Sequence, residues 1–323
     1  MTFYKGRKVL VAGGTGTIGV PLVKELVGRG AYVKVVSTDD SSIARARLGN
    51  AVDFKSMDLA NLENCHSAVK DCEFVFNLVG IKGSVGIGQT RVASYLVPML
   101  RFQTNLMEAS FESGVSRFLF VGSICSYPQA KLHFEDNMWS GMPKQNDRIP
   151  GIAKRVGELL GEAYQLEHGW DAVRIVRPSN VYGPFDDFNP STAQVIPSLI
   201  HKMLTTDGSV KVWGDGSAIR DFIFSEDIAF WMCEALERSP PNFPLNLGCG
   251  SGTSIKELAD IIRSVVGRAI TLEWDIEAPT GDPFRLLDVD RARNTLGFYP
   301  RTDLRTGLTK TINWYKDQLF GRS

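Results

Sequence analysis

Val9-Leu10-Val11-Ala12-Gly13-Gly14-Thr15-Gly16-Thr17-Ile18-Gly19 runs from an apolar segment into a glycine-rich turn, and Ile18, Leu22 and Leu26 then continue at helical spacing. Strand, glycine turn and helix in that order are the context a dinucleotide fingerprint requires. Gly13 lets the chain turn sharply off the strand, Gly16 lets backbone N–H groups approach a pyrophosphate, and Gly19 lets the helix pack close to the sheet. The stretch predicts a β-α-β start to an α/β fold. A nucleotide phosphate is expected at the helix N-terminus, held by Gly13, Gly16, Thr17, Ile18 and Gly19.

Outward from this point the alternation continues. The first helix stops at Gly28 and Gly30, and the β-branched run Tyr32 to Ser37 reads as a second strand. The end of that strand reads the adenosine ribose: an acid favours NAD, while a small polar residue with a nearby cation accommodates NADP. Ser37 holds the position, Asp39 and Asp40 come slightly late, and Arg45 and Arg47 follow, which leaves NAD and NADP both open. Ala51 to Phe54 followed by Met57-Asp58-Leu59 predicts a third strand, with Asp58 and Leu59 near the adenine. Phe74 to Gly80 reads as a fully buried fourth strand whose end, at Leu78, passes the cofactor. A long helix is expected from about Pro98 to Gly114, and a fifth strand from Phe118 to Ser123. In Gly151 to His168, Ile152, Val156, Leu159, Leu160 and Ala163 fall on one stripe, with Lys154 off it.

These elements predict an α/β, Rossmann-type doubly wound parallel sheet with a smaller interleaved C-terminal substrate lobe. Residues 1–178, with about 221–247, are assigned to the dinucleotide-binding domain, and 179–220 with 248–323 to the lobe. Proline, glycine and aromatic residues thicken between Val181 and Gly216 and between Ala278 and Arg285, while 228–236 and 255–266 read as helices.

Composition narrows the function. In 323 residues, Lys plus Arg and Asp plus Glu are balanced at 36 each, so no global field attracts nucleic acid or an acidic membrane. Any anionic ligand must be held by local cations. Five scattered cysteines without metal-type spacing suit free thiols in a reducing compartment, and no metal site is expected. The first strand follows the N-terminus within a few residues and no apolar run approaches membrane-spanning length. The expectation is a cytoplasmic protein.

Six further stretches carry a resemblance: Gly122-Ser123-Ile124-Cys125-Ser126-Tyr127-Pro128, Asn180-Val181-Tyr182-Gly183-Pro184, Val195-Ile196-Pro197, Trp213-Gly214-Asp215-Gly216, Arg220-Asp221-Phe222, and Gly281-Asp282-Pro283-Phe284-Arg285-Leu286-Leu287-Asp288. With the glycine turn they resemble the extended short-chain dehydrogenases/reductases, the NAD-dependent epimerase/dehydratase family, over nearly the whole chain. Within it they are most similar to the enzymes that epimerise and reduce GDP-4-keto sugars. The resemblance implies NAD or NADP as cofactor, a nucleotide-sugar substrate with GDP-sugars favoured, and a homodimer built on the helices at about 98–114 and 151–168. It also implies a sugar-nucleotide pocket lined by Asn180, Val195, Lys202, Trp213, Arg220 and Arg285. That set is chemically apt, since a diphosphate needs two or more cations and Arg clasps it bidentately.

The family's redox chemistry uses a serine, a lysine and a tyrosine four residues before the lysine, whose phenol exchanges a proton with the substrate. Ser123 and Lys154 occupy matching places, but the tyrosine position is Pro150, a residue suited to the first turn of a helix. Of the family's epimerisation pair, Cys125 is present and the histidine position is Gln194. The leading reading is an oxidoreductase acting on a GDP-mannose-type sugar or GDP-heptose at C4, with Lys154 (also a ligand of the cofactor ribose), a Ser123-bound water or Tyr127 carrying the proton. Two alternatives are a catalytically silent sugar-nucleotide-binding subunit and an epimerase using Cys125.

Overall fold

In a computed structural model describing residues 3–50, 52–81, 92–278 and 281–321, the strands are β1 (Lys8–Ala12), β2 (Tyr32–Ser37), β3 (Asp53–Ser56), β4 (Phe74–Asn77), β5 (Arg117–Val121), β6 (Leu132–His133), β7 (Val173–Pro178) and β8 (Asn180–Tyr182). They continue as β9 (Ser209–Trp213), β10 (Ile219–Arg220), β11 (Phe222–Phe224), β12 (Pro244–Leu247), β13 (Thr253–Ser254), β14 (Thr271–Asp275) and β15 (Phe284–Leu287). The α-helices are α1 (Gly19–Gly28), α2 (Ser41–Leu48), α3 (Leu62–Val69), α4 (Val92–Glu112), α5 (Arg148–His168), α6 (Val195–Thr205), α7 (Ser225–Arg238), α8 (Ile255–Val266), α9 (Asp290–Leu296) and α10 (Leu304–Phe320).

Seven strands form one parallel sheet in the order β12-β7-β5-β4-β1-β2-β3. Strand order reverses between β1 and β4, the switch point at which ligands meet the carboxyl ends of an open α/β sheet. Side chains alternate across the sheet: Val9 and Val11 enter one core with α1, α7 and α9. Leu10 and Ala12 enter the other, with α3, α4 and α5. Layers on both faces explain why β1 and β4 read as uninterrupted apolar runs.

The second half adds a four-stranded sheet, β13-β10-β15-β6, two two-stranded pairs, β11-β8 and β14-β9, and a third core packed from α6, α8 and α10. Two segments cross the expected division of the chain. Leu132-His133 lend β6 to the small sheet by pairing with β15, and Val289, Ala292, Leu296 and Phe298 pack with the core of the large one.

Some boundaries move. β3 begins at Asp53; Ala51, its expected start, lies outside the described residues, as do Pro279 and Thr280. Helix α4 begins at Val92, six residues before Pro98, which sits inside it. Position 94, whose carbonyl a proline at 98 cannot bond, is exposed. The stripe expected to bury α5 is only half covered: Ile152, Val156 and Leu160 are partly buried, Leu160 against the second core, and Leu159 and Ala163 are exposed. The buried residues of the helix are Gly151, Ala153, Arg155, Gly157, Glu158 and Gly161, while Leu159 is 51% and Leu166 79% exposed. Glycines bring this helix against the sheet: a Cβ on Gly157 would lie 2.2 Å from the Phe120 ring.

Candidate functional site

The glycine turn has the geometry its sequence implies. Gly13 has φ +81°, and a Cβ on it would press on the Leu78 backbone at 3.2 Å. A Cβ on Gly19 would lie 2.5 Å from the Gly13 carbonyl, which fixes glycine where helix meets loop. Around Gly16, by contrast, the nearest atom to such a Cβ is 4.0 Å away. The N-cap of α1 is Ile18, no side chain caps it, and no acid stands in the first turn. A helix N-terminus uncapped by any side chain, beside open space over a glycine, fits a dinucleotide pyrophosphate.

The other expected cofactor residues divide. Ser37 accepts a hydrogen bond from the Asp39 N–H (3.0 Å), and the Asp39 carboxylate turns to Arg47 (3.6 Å). Arg47 in turn donates to the Thr15 carbonyl (2.8 Å), placing a guanidinium on the glycine turn itself. Asp58 is exposed and accepts from the Ala60 N–H. The Leu59 side chain is core, 4% exposed, so its backbone is the part it offers a cofactor. The Thr17 hydroxyl is turned to the Phe185 carbonyl (3.3 Å) and the Asp186 carboxylate (3.2 Å), leaving the backbone as its phosphate-facing part.

Ser123 follows β5 and opens a short 3-10 turn, Ile124–Ser126, by accepting from the Cys125 N–H (3.1 Å). Helix α5 starts against this turn. A Cβ on Gly151 would lie 2.4 Å from the Cys125 carbonyl, and Arg155 donates to the Ser126 carbonyl (2.8 Å). Lys154, between these two contacts in sequence, is partly buried with its ammonium 5.3 Å from the Phe120 ring centre. Burial pulls its pKa down to about 8, against the opposing charges of Glu158 and Cys125.

Tyr127, one of the three proton carriers expected, is placed in the interior, where its hydroxyl is committed to protein partners. It is 1% exposed, donates to Asn246 Oδ1 (2.6 Å) and accepts from Arg177 Nη1 (2.8 Å). Burial drives its pKa up, against the pull of Arg177. Arg177, itself 2% exposed, clasps Glu158 through Nε (3.0 Å) and Nη2 (2.6 Å). Gly122 leaves room for the pair: a Cβ there would sit 2.7 Å from Glu158 Oε1. The tyrosine belongs to the scaffold that fixes α5 behind Ser123.

The expected substrate residues fall into two groups. Arg220 and Arg285 are register partners on the adjacent parallel strands β10 and β15. Arg285 Nη2 is 3.2 Å from Cys125 Sγ and 2.8 Å from Asp147 Oδ2, and these two groups outweigh burial to raise its pKa. Asn180 is anchored on the same side, its Nδ2 donating to the Asp221 carbonyl (2.8 Å). Val195 begins α6. Lys202, also on α6, reaches the Lys211 carbonyl on β9 (3.2 Å), two residues before Trp213, which is 61% exposed. Gln194 is the exposed residue before α6.

Three residues around the arginine pair escaped sequence reasoning. Lys144 makes an ion pair with Asp282, and Asp147 pairs with Arg285. Burial, then the Arg285 charge, bring the Lys144 pKa down to about 8. The signal for them is weak, because Lys144 and Asp147 lie in an irregular segment with no periodicity. A separate groove of about 1020 Å³, lined by Lys24, Arg47, Phe185 and Trp314, lies along the outer side of α1 and contains none of the Ser123, Lys154 or Arg285 groups. Among the described residues no cluster of His, Cys, Asp or Glu is placed to hold a metal ion, and no helix is long and apolar enough to cross a membrane.

Fold and cradle together define a Rossmann-type dinucleotide enzyme. The model of the NAD dependent epimerase/dehydratase family matches residues 9–248, and the chain belongs to that family. It is similar to a probable GDP-L-fucose synthase 1 of Oryza sativa subsp. japonica, 30% identical over 322 residues, which span 98% of this chain and 94% of that protein. A dTDP-4-dehydro-6-deoxy-D-allose reductase of Streptomyces bikiniensis is 31% identical, covering 97% of each. Among solved structures, MlghC, a GDP-mannoheptose C4 reductase from Campylobacter jejuni with NADP bound, shares the fold with a TM-score of 0.78 at 24% identity, over 96% of this chain and 98% of that one.

Proposed function

We propose that this chain is a nucleotide-sugar oxidoreductase that reduces a keto group at C4 of a GDP-mannose-type sugar or GDP-heptose, or runs the reverse oxidation, with Lys154 in place of the tyrosine as proton carrier. The observation that carries the reading is the state of Lys154. It stands on the helix that starts against the Ser123 turn, above a phenyl ring, with burial bringing its pKa near neutrality. A proton donor works best when its pKa lies near the operating pH.

The bound nicotinamide supplies or accepts the hydride. In the reducing direction Ser123 Oγ holds the sugar oxygen, the Lys154 ammonium gives that oxygen a proton as the carbonyl becomes a hydroxyl, and solvent returns a proton to the lysine. Arg220 and Arg285 hold the diphosphate, and Asn180, Val195, Lys202 and Trp213 form the remainder of the pocket. Residues 179–220 and 248–323, less 287–298, which pack with the large core, and with β6 added, make up the substrate lobe. NADP is the better fit to the ribose end, because Ser37 stands where an acid would select NAD and Arg47 is held on the glycine turn, paired with Asp39 two residues beyond Ser37. Dimer formation through α4 and α5 accounts for the apolar residues α5 leaves exposed.

The test is the absorbance band of reduced nicotinamide on adding GDP-4-keto-6-deoxymannose or a GDP-4-keto-heptose. Loss of the band in the wild type, falling away as pH rises through about 8 and abolished in Lys154→Met, supports the reading. A band that never changes while calorimetry shows the sugar nucleotide bound overturns it in favour of a binding subunit.

A further inference from the structure

Around the arginine pair the chain packs three cations, Lys144, Arg220 and Arg285, and two of them hold an acid of the protein. Arg285 holds Asp147, with side-chain exposures of 16% and 20%, and Lys144 holds Asp282, at 12% and 20%. Arg220 joins them by donating to the Asp282 carbonyl (2.6 Å). Like charges this close oppose one another: Arg285 lowers the pKa of both Lys144 and Arg220, in each case after burial as the first cause. A partly buried cation is costly unless paired, so the acids make this cluster of cations tolerable.

Both acids lie where they can leave. Asp282 is in the irregular segment before β15. Asp147 occupies the N-cap of α5, a position where a carboxylate ordinarily accepts from the helix N–H groups, yet its side chain caps nothing. Its carboxylate is committed to Arg285, not to the helix.

We propose that Asp147 and Asp282 are resident counter-anions for Arg285 and Lys144, exchanged for the phosphates of an incoming nucleotide diphosphate, and that Lys144 is a third phosphate-binding cation. The exchange makes these residues specificity determinants. A diphosphate diester brings two negative charges and replaces both carboxylates, whereas a ligand that satisfies only one cation leaves the other pair in place. The inference rests on the nucleotide-sugar reading above.

The test is calorimetric titration of the intact protein and of its Asp147→Asn, Asp282→Asn and Lys144→Gln variants with GDP-mannose and with GMP, thermal melting having first shown which variants are folded. The wild type is expected to prefer GDP-mannose. Removing either acid should tighten both ligands and tighten GMP more, reducing the preference about tenfold, and removing Lys144 should weaken GDP-mannose by about tenfold. Weaker GDP-mannose binding in the acid variants would mean the carboxylates hold the ligand itself, and an unchanged preference would mean they are bystanders; either overturns the proposal. If an Asn variant does not fold, wild-type binding across a salt series and the Lys144→Gln result decide, and unaltered affinity in Lys144→Gln overturns it. Wild-type protein that binds neither GDP-mannose nor any other nucleotide sugar removes the underlying reading, an outcome distinct from all of these.

Discussion

Pro150 and Lys154 lie one turn apart on α5, the spacing at which two side chains share a helix face. The lysine thus has its family neighbour's place beside it, filled by a side chain with no proton to give. Pro150 sits in the first turn, where a ring is tolerated because the N–H it lacks has no helical partner there. Pro150→Tyr should fold, and is expected to raise the rate of hydride transfer to a GDP-4-keto sugar by about 10²–10⁴-fold, the usual worth of a positioned acid. Single-turnover decay of the reduced-nicotinamide absorbance measures it; no gain would mean the missing phenol does not limit this enzyme.

Arg47 predicts cofactor choice. Because its guanidinium is held on the Thr15 carbonyl of the glycine turn, Arg47→Ala should weaken NADPH binding by roughly 1–3 kcal/mol, the cost of losing a charged hydrogen bond, and leave NADH nearly unaffected. Fluorescence titration with the two cofactors compares them directly. Equal losses would place Arg47 in support of the turn, away from the ribose.

His133 sets an acid limit on stability. Burial, helped by the charges of Lys144 and Arg285, holds its pKa at about 4 against an ordinary 6.5. The fold therefore prefers the neutral ring, and its contribution is fully present above pH 6.5 and lost as pH falls through about 4. That range spans roughly 3 kcal/mol. Urea melts at pH 7 and pH 4.5 should show the loss, and His133→Phe should flatten it, since the ring stacks on Tyr127 at 4.9 Å without needing a charge.

Leu159 and Leu166 lie on the outward stripe of α5. Leu159→Glu should leave the monomer's melting temperature nearly unchanged while shifting its mass in size-exclusion chromatography with light scattering from dimer to monomer. A dimeric variant would locate the seam elsewhere.

Much of this architecture is legible in the amino-acid order because it depends on short-range patterns. The glycines at 13, 16 and 19 specify a turn whose sterics are local, and buried parallel strands announce themselves as apolar runs. The stripe on α5 misleads for a physical reason: Gly157 and Gly161 let backbone approach Phe120 and Val173 of the sheet, so several of the apolar residues are left part-exposed. Tyr127 misleads because whether a phenol faces a pocket or a buried arginine depends on Asn246 and Arg177, distant in the chain. Lys144, Asp147 and Asp282 are invisible for the same reason, since their pairing exists only after β15 and α5 are brought together.

The Arg177–Glu158 clasp behind Gly122 has a consequence for how such an enzyme changes over time. The clasp is anchored in the interior, whereas position 150 lies in the first turn of a helix that the clasp grips two turns further on. Deleting the reactive group leaves the vessel standing, so a lineage can abandon one chemistry and try another by exchanging a single residue, without first rebuilding the protein around it.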